Sequence, residues 1–504
     1  MTSQNLPASD NSKARPVQPT PLISAFPVLY LLVTLVTVIY FKGASAVQEY
    51  SPLILLSAAF VGLLVSLIAT PRRPKSLLAG GIRQSAKQIL PTLPILLFIG
   101  TLASTWMLSG IIPAMIDSGL KLMNPGWFLP VTCAICSAVS VLTGSSWTTI
   151  ATVGVGFMGI GGVMGYEPEW IAGAVISGAY FGDKVSPLSD TTVLAAASCN
   201  VPLTIHIRNL MWTSMPALLL ALGVYSCVGL FTDFNSSEES LSMAEALRDI
   251  FTLSPWLFAV PLLTAVLIIL RVPTPFTLAV GSLAGLAAMY IFQPHIVAAI
   301  ADSHIRVIID TLFLGASLPT GNELLDPLVS TGGMFGMIPT IMLILSAMIF
   351  GGVMIGTGML GSLTASLTRS IGSSKGIVAA TCGSGLFLNS CTGDQYLSII
   401  VGGNIFRDAY RERGLRPSTL SRTLEDSVSV TSVLIPWNSC GITQSTVLGV
   451  ATLAYLPYCI FNLCSPVMTL LLAMAGWKIR ESVPVNDALT RPDASPAAVR
   501  VSSD

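Results

Sequence analysis

The sequence predicts an all-α polytopic membrane protein, built as two inverted-topology repeats with re-entrant hairpins and broken helices over about 10–12 spans. Three observations carry that expectation. Only 10% of the 504 residues are charged while 52% are hydrophobic, whereas a soluble domain carries about 25% charged residues. Apolar runs of about 20 residues, the length that crosses a bilayer core, recur along the chain. Two distant stretches also share one pattern of prolines, glycines and polar interruptions. Lys+Arg and Asp+Glu both total 25, so no basic surface for nucleic acid is offered and none is expected as a partner.

In chain order, residues 1–21 are rich in Ser, Pro, Asn and Gln and lack the apolar core of a signal peptide, which predicts a disordered cytoplasmic tail. Residues 22–87 follow as an N-terminal helical hairpin, with apolar runs at 22–41 and 49–70, and a loop carrying Arg72, Arg73, Lys75, Arg83 and Lys87 without one acid. Such a loop is expected on the cytoplasmic side. Residues 88–230 are the first repeat. Residues 231–334 form a linker with two spans and a connecting segment, whose start carries Asp233, Glu238, Glu239, Glu245 and Asp249 and is expected outside, and whose turn at Arg271 is expected inside. Residues 335–477 are the second repeat, with Arg407, Arg411, Arg413, Arg416 and Arg422 marking the inner side. Lys478 and Arg480 place the tail 478–504 in the cytoplasm as well. The expected location is the bacterial inner membrane, multi-pass, with both termini cytoplasmic.

The repeat is legible in "PTLPILLFIGTLASTWMLSGII" followed by "LTGSSWTTIATVG", and in "GMIPTIMLILSAMIFGGVMIGTGML" followed by "NSCTGDQYLSIIVG". Gly110 precedes Thr143 by 33 positions and Gly358 precedes Thr392 by 34. The first copy starts beside a basic loop, whereas the second reaches Arg369 and Lys375 only after its first span. Opposite orientation of two related halves is the arrangement of many secondary transporters.

Four polar islands interrupt apolar sequence: Thr143–Trp147, Gly182–Thr192, Asn389–Asp394 and Pro436–Gly441. Non-helical backbone at membrane depth persists only where it is buried in protein or lines a cavity, and a desolvated Na⁺ needs oxygen ligands. These islands therefore supply the candidate ion-binding and proton-carrying residues: Asp183, Asp190, Asp394, Lys184, Ser189, Thr143, Ser145, Ser146, Ser390, Thr392, Asn438 and Ser439. Within them, transported Na⁺ is assigned to Asp183, Asp190, Ser145 and Asn438. Charges at membrane depth pair or face water and mark ion pathways, so Lys184 reads either as a counter-ion paired with Asp183 or Asp190 or as a cationic donor for an organic carboxylate. The competing reading is a Pro-kinked surface loop with solvated charges. Asp394 is the one acid in the second half's hairpin tip and is the proton-carrier candidate there.

Other residues carry less. His206, beside Arg208, reads as an interfacial side chain, and His295 and His304 lack metal-ligand spacing. Glu425 and Asp426 precede "SVSVTSVLIPW" either as a helix N-terminal cluster or as a wall of the site. The nine cysteines are odd in number and lie in or beside apolar segments; Cys133 and Cys136 read as core filler rather than a redox pair. No Walker loop, G-x-S-x-G elbow or H-E-x-x-H is present. The chain is therefore not expected to be an enzyme, needs no cofactor, and draws its energy from an ion gradient.

At "TGSSWTTIATVGVGFMGIG", "AGAVISGAYFGDKVSPLSDTTVLAAA", "TIHIRNL", "GNELLDPLVSTGGM" and "LEDSVSVTSVLIPWNSCG" the sequence resembles the NhaC family of Na⁺/H⁺ antiporters, over about Ile89 to Ala475. The resemblance implies the wider ion-transporter superfamily, with hairpin tips at Thr143–Ser146 and Ser390–Asp394 and unwound helices at Asp183–Thr192 and Ser432–Cys440. It implies Na⁺ and H⁺ as substrates, with the lipid bilayer as surroundings and a homodimer as a possible assembly. The same family holds malate/lactate antiporters, so Na⁺/H⁺-coupled organic-acid exchange is the alternative to simple Na⁺/H⁺ exchange. A channel or non-transporting scaffold is the third reading, against which the inverted repeat argues.

Overall fold

The computed structural model describes residues 19–43, 46–70, 75–231, 245–316, 330–369 and 373–477. Residues 1–18 of the expected N-terminal tail, the whole tail 478–504, Arg72, Arg73 and most of the acidic segment after residue 231 lie outside these ranges. Among the described residues every extended element is helical. In order they are α1 (Pro21–Lys42), α2 (Ala46–Ala69), α3 (Lys75–Ile89), α4 (Leu93–Leu108), α5 (Ile111–Leu122), α6 (Phe128–Thr143), α7 (Ser146–Val163), α8 (Pro168–Val185), α9 (Asp190–Ser198) and α10 (Leu203–Phe231). There follow α11 (Pro255–Ile269), α12 (Thr274–Phe292), α13 (Pro294–Ile300), α14 (His304–Ile309), α15 (Phe335–Gly356), α16 (Met359–Arg369), α17 (Ser374–Thr392), α18 (Gln395–Glu412), α19 (Pro417–Leu424), α20 (Ser439–Leu448), α21 (Thr452–Tyr458) and α22 (Ile460–Ala475).

Among the described residues seven helices are long and apolar enough to cross a bilayer, and up to nine spans result if the bent pairs α4–α5 (67°) and α21–α22 (59°) each count as one. The expected 10–12 is higher because α8 and α18 carry too many charges to qualify by composition; α8 alone holds Glu169, Asp183 and Lys184. A helix that faces a polar site inside a bundle has no need of an apolar surface all round.

The segment expected to be a basic loop is mostly helix α3. Arg83 and Lys87 are exposed while Ser85 and Ile89 are buried, which is the two-faced pattern of an interfacial helix. Its Gly81 lies against Gly352 and Gly356 of α15, so closely that a Cβ there would come within 2.5 Å of the Gly352 carbonyl oxygen. Small residues four apart let two helices approach in this way.

The duplication extends to backbone detail. From Thr143 to Leu203 and from Thr392 to Thr452 the chain runs in step, 249 positions apart. Helices α6 and α17 end at Thr143 and Thr392, Gly144 and Gly393 turn left-handed at φ 67° and 68°, and Ser145 and Asp394 cap the next helix by accepting from the Thr148 and Leu397 N–H. Gly165 and Gly414 close α7 and α18 at positive φ, with the Tyr166 and Leu415 N–H donating to the carbonyls of Gly161 and Tyr410. Pro168 and Pro417 open α8 and α19. Pro187 and Pro436 stand in the breaks that follow, and Ser189 and Asn438 cap α9 and α20. Gly110 and Gly358, at φ 80° and 74°, lie 248 apart, so the halves differ by one residue between that turn and the hairpin tip.

Candidate functional site

Both islands of the first half break helix, and the breaks meet. Gly144 is left-handed and a Cβ on it would come within 2.7 Å of Leu188 in the second break, so the tip of the α6–α7 hairpin is seated on the α8–α9 break. Asp183 is held there: its Oδ2 accepts from the Ser146 N–H at 3.1 Å and from the Ser146 hydroxyl at 2.6 Å. The amide donor comes from the N-terminus of α7, where orphan N–H groups and the helix dipole favour a negative charge. The expected unwinding from Asp183 is corrected. Asp183 and Lys184 belong to the last turn of α8, and the break covers Ser186–Ser189.

A cavity of about 400 Å³ opens beside this junction. Its wall includes Asp183, Asp190, Thr143, Ser145, Thr148 and Thr191 from the first half, Gln395 and Tyr396 from the second, and Arg271 from the turn between α11 and α12. Asp190, the first residue of α9, is exposed to this space, and Asp183 is half-buried. Two carboxylates with several hydroxyls and an amide oxygen are the hard-oxygen donor set that suits an alkali cation. Ser189 is buried just behind, with its hydroxyl capping α9 and paired with Thr191 at 3.0 Å.

The second half places its residues differently. Asp394 is buried; its Oδ1 accepts from Leu397 N–H at 2.9 Å and its Oδ2 from the Ser439 hydroxyl at 3.4 Å. Thr392 closes the tip by donating to the Asp394 carbonyl and pairing with Ser398, as Thr143 does with Ser145 and Thr149. Ser439 N–H donates to the Gly393 carbonyl, and Asn438 donates to the Asn389 carbonyl while capping α20. Ser390 donates to the Leu386 carbonyl, away from the break. Neither Asn438 nor Asp394 lines the cavity. The expected Na⁺ quartet is thus corrected: Asp183, Asp190 and Ser145 share one space, whereas Asn438 is spent on the second break. In this half the helix also unwinds earlier than expected, through a π turn at Glu425–Ser429 and a 3₁₀ turn at Ser432–Leu434.

The expected pairing of Lys184 with Asp183 or Asp190 is also corrected. The Lys184 ammonium turns to the other side of α8 and pairs with Asp426, with relative side-chain exposures of 1% and 0%. Asp426 accepts further from Ser465 at 2.7 Å, Thr213 at 3.1 Å and Thr469, so its carboxylate is fully engaged. His206, expected at an interface, is buried, with Nδ1 2.8 Å from the Ser421 hydroxyl. Cys133 and Cys136 are buried in the apolar core as filler.

Gln395, Tyr396 and Arg271 were not among the sequence-derived candidates. Gln395 was within reach, since it lies 249 positions after Ser146. Arg271 was not, because only the folded chain brings that turn, at φ 60°, to the cavity. Glu425 and Asp426 are buried in a π turn that continues α19, so they do not sit at a free helix N-terminus, and neither lines the cavity.

Comparison with known proteins gives a consistent picture. The profile of the Na⁺/H⁺ antiporter family matches residues 14–197 and 178–477. The chain is 37% identical over 402 residues to the Na⁺/H⁺ antiporter NhaC of Alkalihalophilus pseudofirmus, covering 80% of this chain and 85% of that one. It is 32% identical to the arginine/ornithine antiporter ArcD of Halobacterium salinarum, covering 79% and 81%. It is 32% identical to the malate-2H⁺/Na⁺-lactate antiporter of Bacillus subtilis, covering 72% and 76%.

Proposed function

The chain belongs to the Na⁺/H⁺ antiporter family, and from that premise we propose that it exchanges Na⁺ for H⁺ across the bacterial inner membrane at the cavity beside the first hairpin tip. The observation that carries this reading is the juxtaposition of Asp183 and Asp190 in one cavity with the Thr143, Ser145 and Thr148 hydroxyls. A carboxylate can hold a cation or a proton but not both at one oxygen pair, so Na⁺ arriving from one side displaces a proton and the reverse exchange resets the site. The Ser146 donors keep Asp183 oriented in either state. The two halves act as inverted repeats that rock about this site to give alternating access, with both termini cytoplasmic.

Exchange of small organic solutes is the second reading, and one observation favours it: Arg271 lines the same cavity as the two acids, so both signs of charge are on offer. Lys184, the sequence-derived candidate for an organic carboxylate, is engaged with Asp426 instead. Everted vesicles carrying the protein separate the readings. Dissipation of an imposed pH gradient by Na⁺ alone is the expected result; dissipation only after malate, lactate or a basic amino acid is added would overturn it.

A further inference from the structure

The side of α8 opposite the cavity carries a second polar region, built around Lys184 and Asp426. Between α10 and α19 a buried seam runs inward. Asn209, half-buried, donates to the Ser418 carbonyl at 2.7 Å and accepts from the Arg422 guanidinium at 3.3 Å. His206 reaches Ser421 one turn along. Thr213 then reaches Asp426 and, through it, Lys184. On α19 and its π turn the residues making these contacts, Ser418, Ser421, Arg422 and Asp426, are all buried, and Glu425, next to Asp426 in the chain, is buried as well. Several of their polar atoms lack any hydrogen-bond partner: His206 Nε2, Arg422 Nε and Nη2, and both carboxyl oxygens of Glu425.

Buried polar atoms are nearly always paired, and a group of unpaired ones calls for a specific explanation. Glu425 is the extreme case. A carboxylate buried with no donor at either oxygen is costly, whereas a carboxyl holding its own proton is not. The charged groups acting on it are Lys184 and Asp183 on α8 and Asp426 beside it, with the Ser429 hydroxyl on its own turn; His206 on α10, Cys382 on α17 and Arg422 on α19 in turn act on Asp426. With Glu425 ionised, Lys184 and Arg422 balance Glu425 and Asp426; with Glu425 protonated, the cluster carries one net positive charge. Lys184, one member of that cluster, adjoins Asp183 along α8, and charges interact strongly where solvent is excluded.

We propose that Glu425 is a second proton-carrying group of the exchange cycle, reached along the buried seam between α10 and α19 and coupled to the Na⁺ cavity through Lys184 and the last turn of α8. This rests on the Na⁺/H⁺ reading above. Proton uptake at Glu425 makes the cluster positive and expels Na⁺ from Asp183 without touching it; Na⁺ arrival releases that proton. Cation and proton therefore oppose each other at two places, and more than one proton is displaced per Na⁺.

The test is the pH dependence of apparent Na⁺ affinity in proteoliposomes. The slope of log affinity against pH counts the protons displaced on Na⁺ binding. The slope is expected to exceed about one in the wild-type protein, to fall to about one or less in Glu425→Gln, and to return in Glu425→Asp. A wild-type slope of about one, or an unaltered slope in Glu425→Gln, overturns the proposal while leaving Na⁺/H⁺ exchange intact. Absence of any Na⁺-driven proton flux in the wild type would instead remove the underlying reading. A second measurement needs no variant. Modification of Glu425 by a hydrophobic carbodiimide, read by peptide mass spectrometry on wild-type protein, is expected to fall as Na⁺ rises at fixed pH; labelling indifferent to Na⁺ also overturns the coupling.

Discussion

The two halves hold the same backbone and opposite chemistry. At the first junction the hairpin tip supplies hydroxyls, Ser145 and Ser146, and the broken helix supplies acids, Asp183 and Asp190. At the second, 249 positions later, the tip supplies Asp394 and Gln395 and the broken helix supplies Ser432 and Ser439. The contacts survive the exchange of roles. Ser146 donates to Asp183, and in the mirror position Ser432 donates to Gln395 at 3.2 Å. Ser140 donates to the Ala179 carbonyl, and Asn389 donates to the Val428 carbonyl. The first junction presents both its acids to the cavity, whereas the second presents Gln395 there and buries Asp394. Caps, turns and breaks thus define a frame that tolerates either polarity, and placement of the acids decides which junction offers carboxylates to the cavity.

The strongest way to break that comparison is at Lys184, whose mirror position is the buried apolar Val433. Lys184→Met leaves Asp426 buried without its cation, and losing one partner of a buried pair costs about 3–5 kcal/mol. A markedly lower melting temperature in detergent is expected. Lys184→Met combined with Asp426→Leu is expected to regain most of it, because replacing both partners by apolar groups is close to neutral. A stable single variant would mean the pair is not the closed contact described here.

Next in size is the carboxylate in the cavity. Asp183→Asn removes an ionic ligand worth roughly 1.5–3 kcal/mol, or about ten- to hundredfold in apparent Na⁺ affinity. Asp394→Asn is its control at the second junction, where the acid is buried away from the cavity. Asn caps a helix nearly as well as Asp, so near wild-type exchange is expected, and severe loss in a folded Asp394→Asn protein would give the second junction an ion role. The turns differ too. Gly144→Ala meets the Leu188 backbone at 2.7 Å, whereas Gly393→Ala meets the Ala347 Cβ at 3.0 Å. Both bear the left-handed penalty of about 1–2 kcal/mol, with the larger loss of thermal stability expected at Gly144. The smallest effect is expected at Ser390→Ala, whose hydroxyl is spent on its own helix; unchanged Na⁺-driven flux is the result that fits.

The membrane class, the duplication and all four breaks were legible in the sequence because they depend on local chemistry. Apolar length, a glycine needing positive φ and a cap residue are written where they act. Asp183 and Asp190 were legible as charges inside apolar sequence. What could not be read was direction. Asp183 and Lys184 are neighbours, and successive residues on a helix point about 100° apart, so one lines the cavity and the other is buried against Asp426. Nothing in the local sequence states which partner lies on either side. Helix α3 was missed because its charges suggested a loop, while the contact that orders it, Gly81 on Gly352, joins residues 271 positions apart.

The fixed spacing of 249 residues also bears on how such a molecule could arise. A pair of identical half-length chains, related by a twofold axis, would reproduce the caps, turns and breaks of both halves. It could not reproduce the charges, since any acid introduced into one copy would appear in the other and both junctions would gain it. Lys184 facing Asp426 is a contact between non-equivalent positions, Ser177 and Val433 being their mirror residues. Joining the halves in a single chain is what lets one junction turn its acids to the cavity while its twin holds Asp394 buried on a backbone amide and a serine hydroxyl.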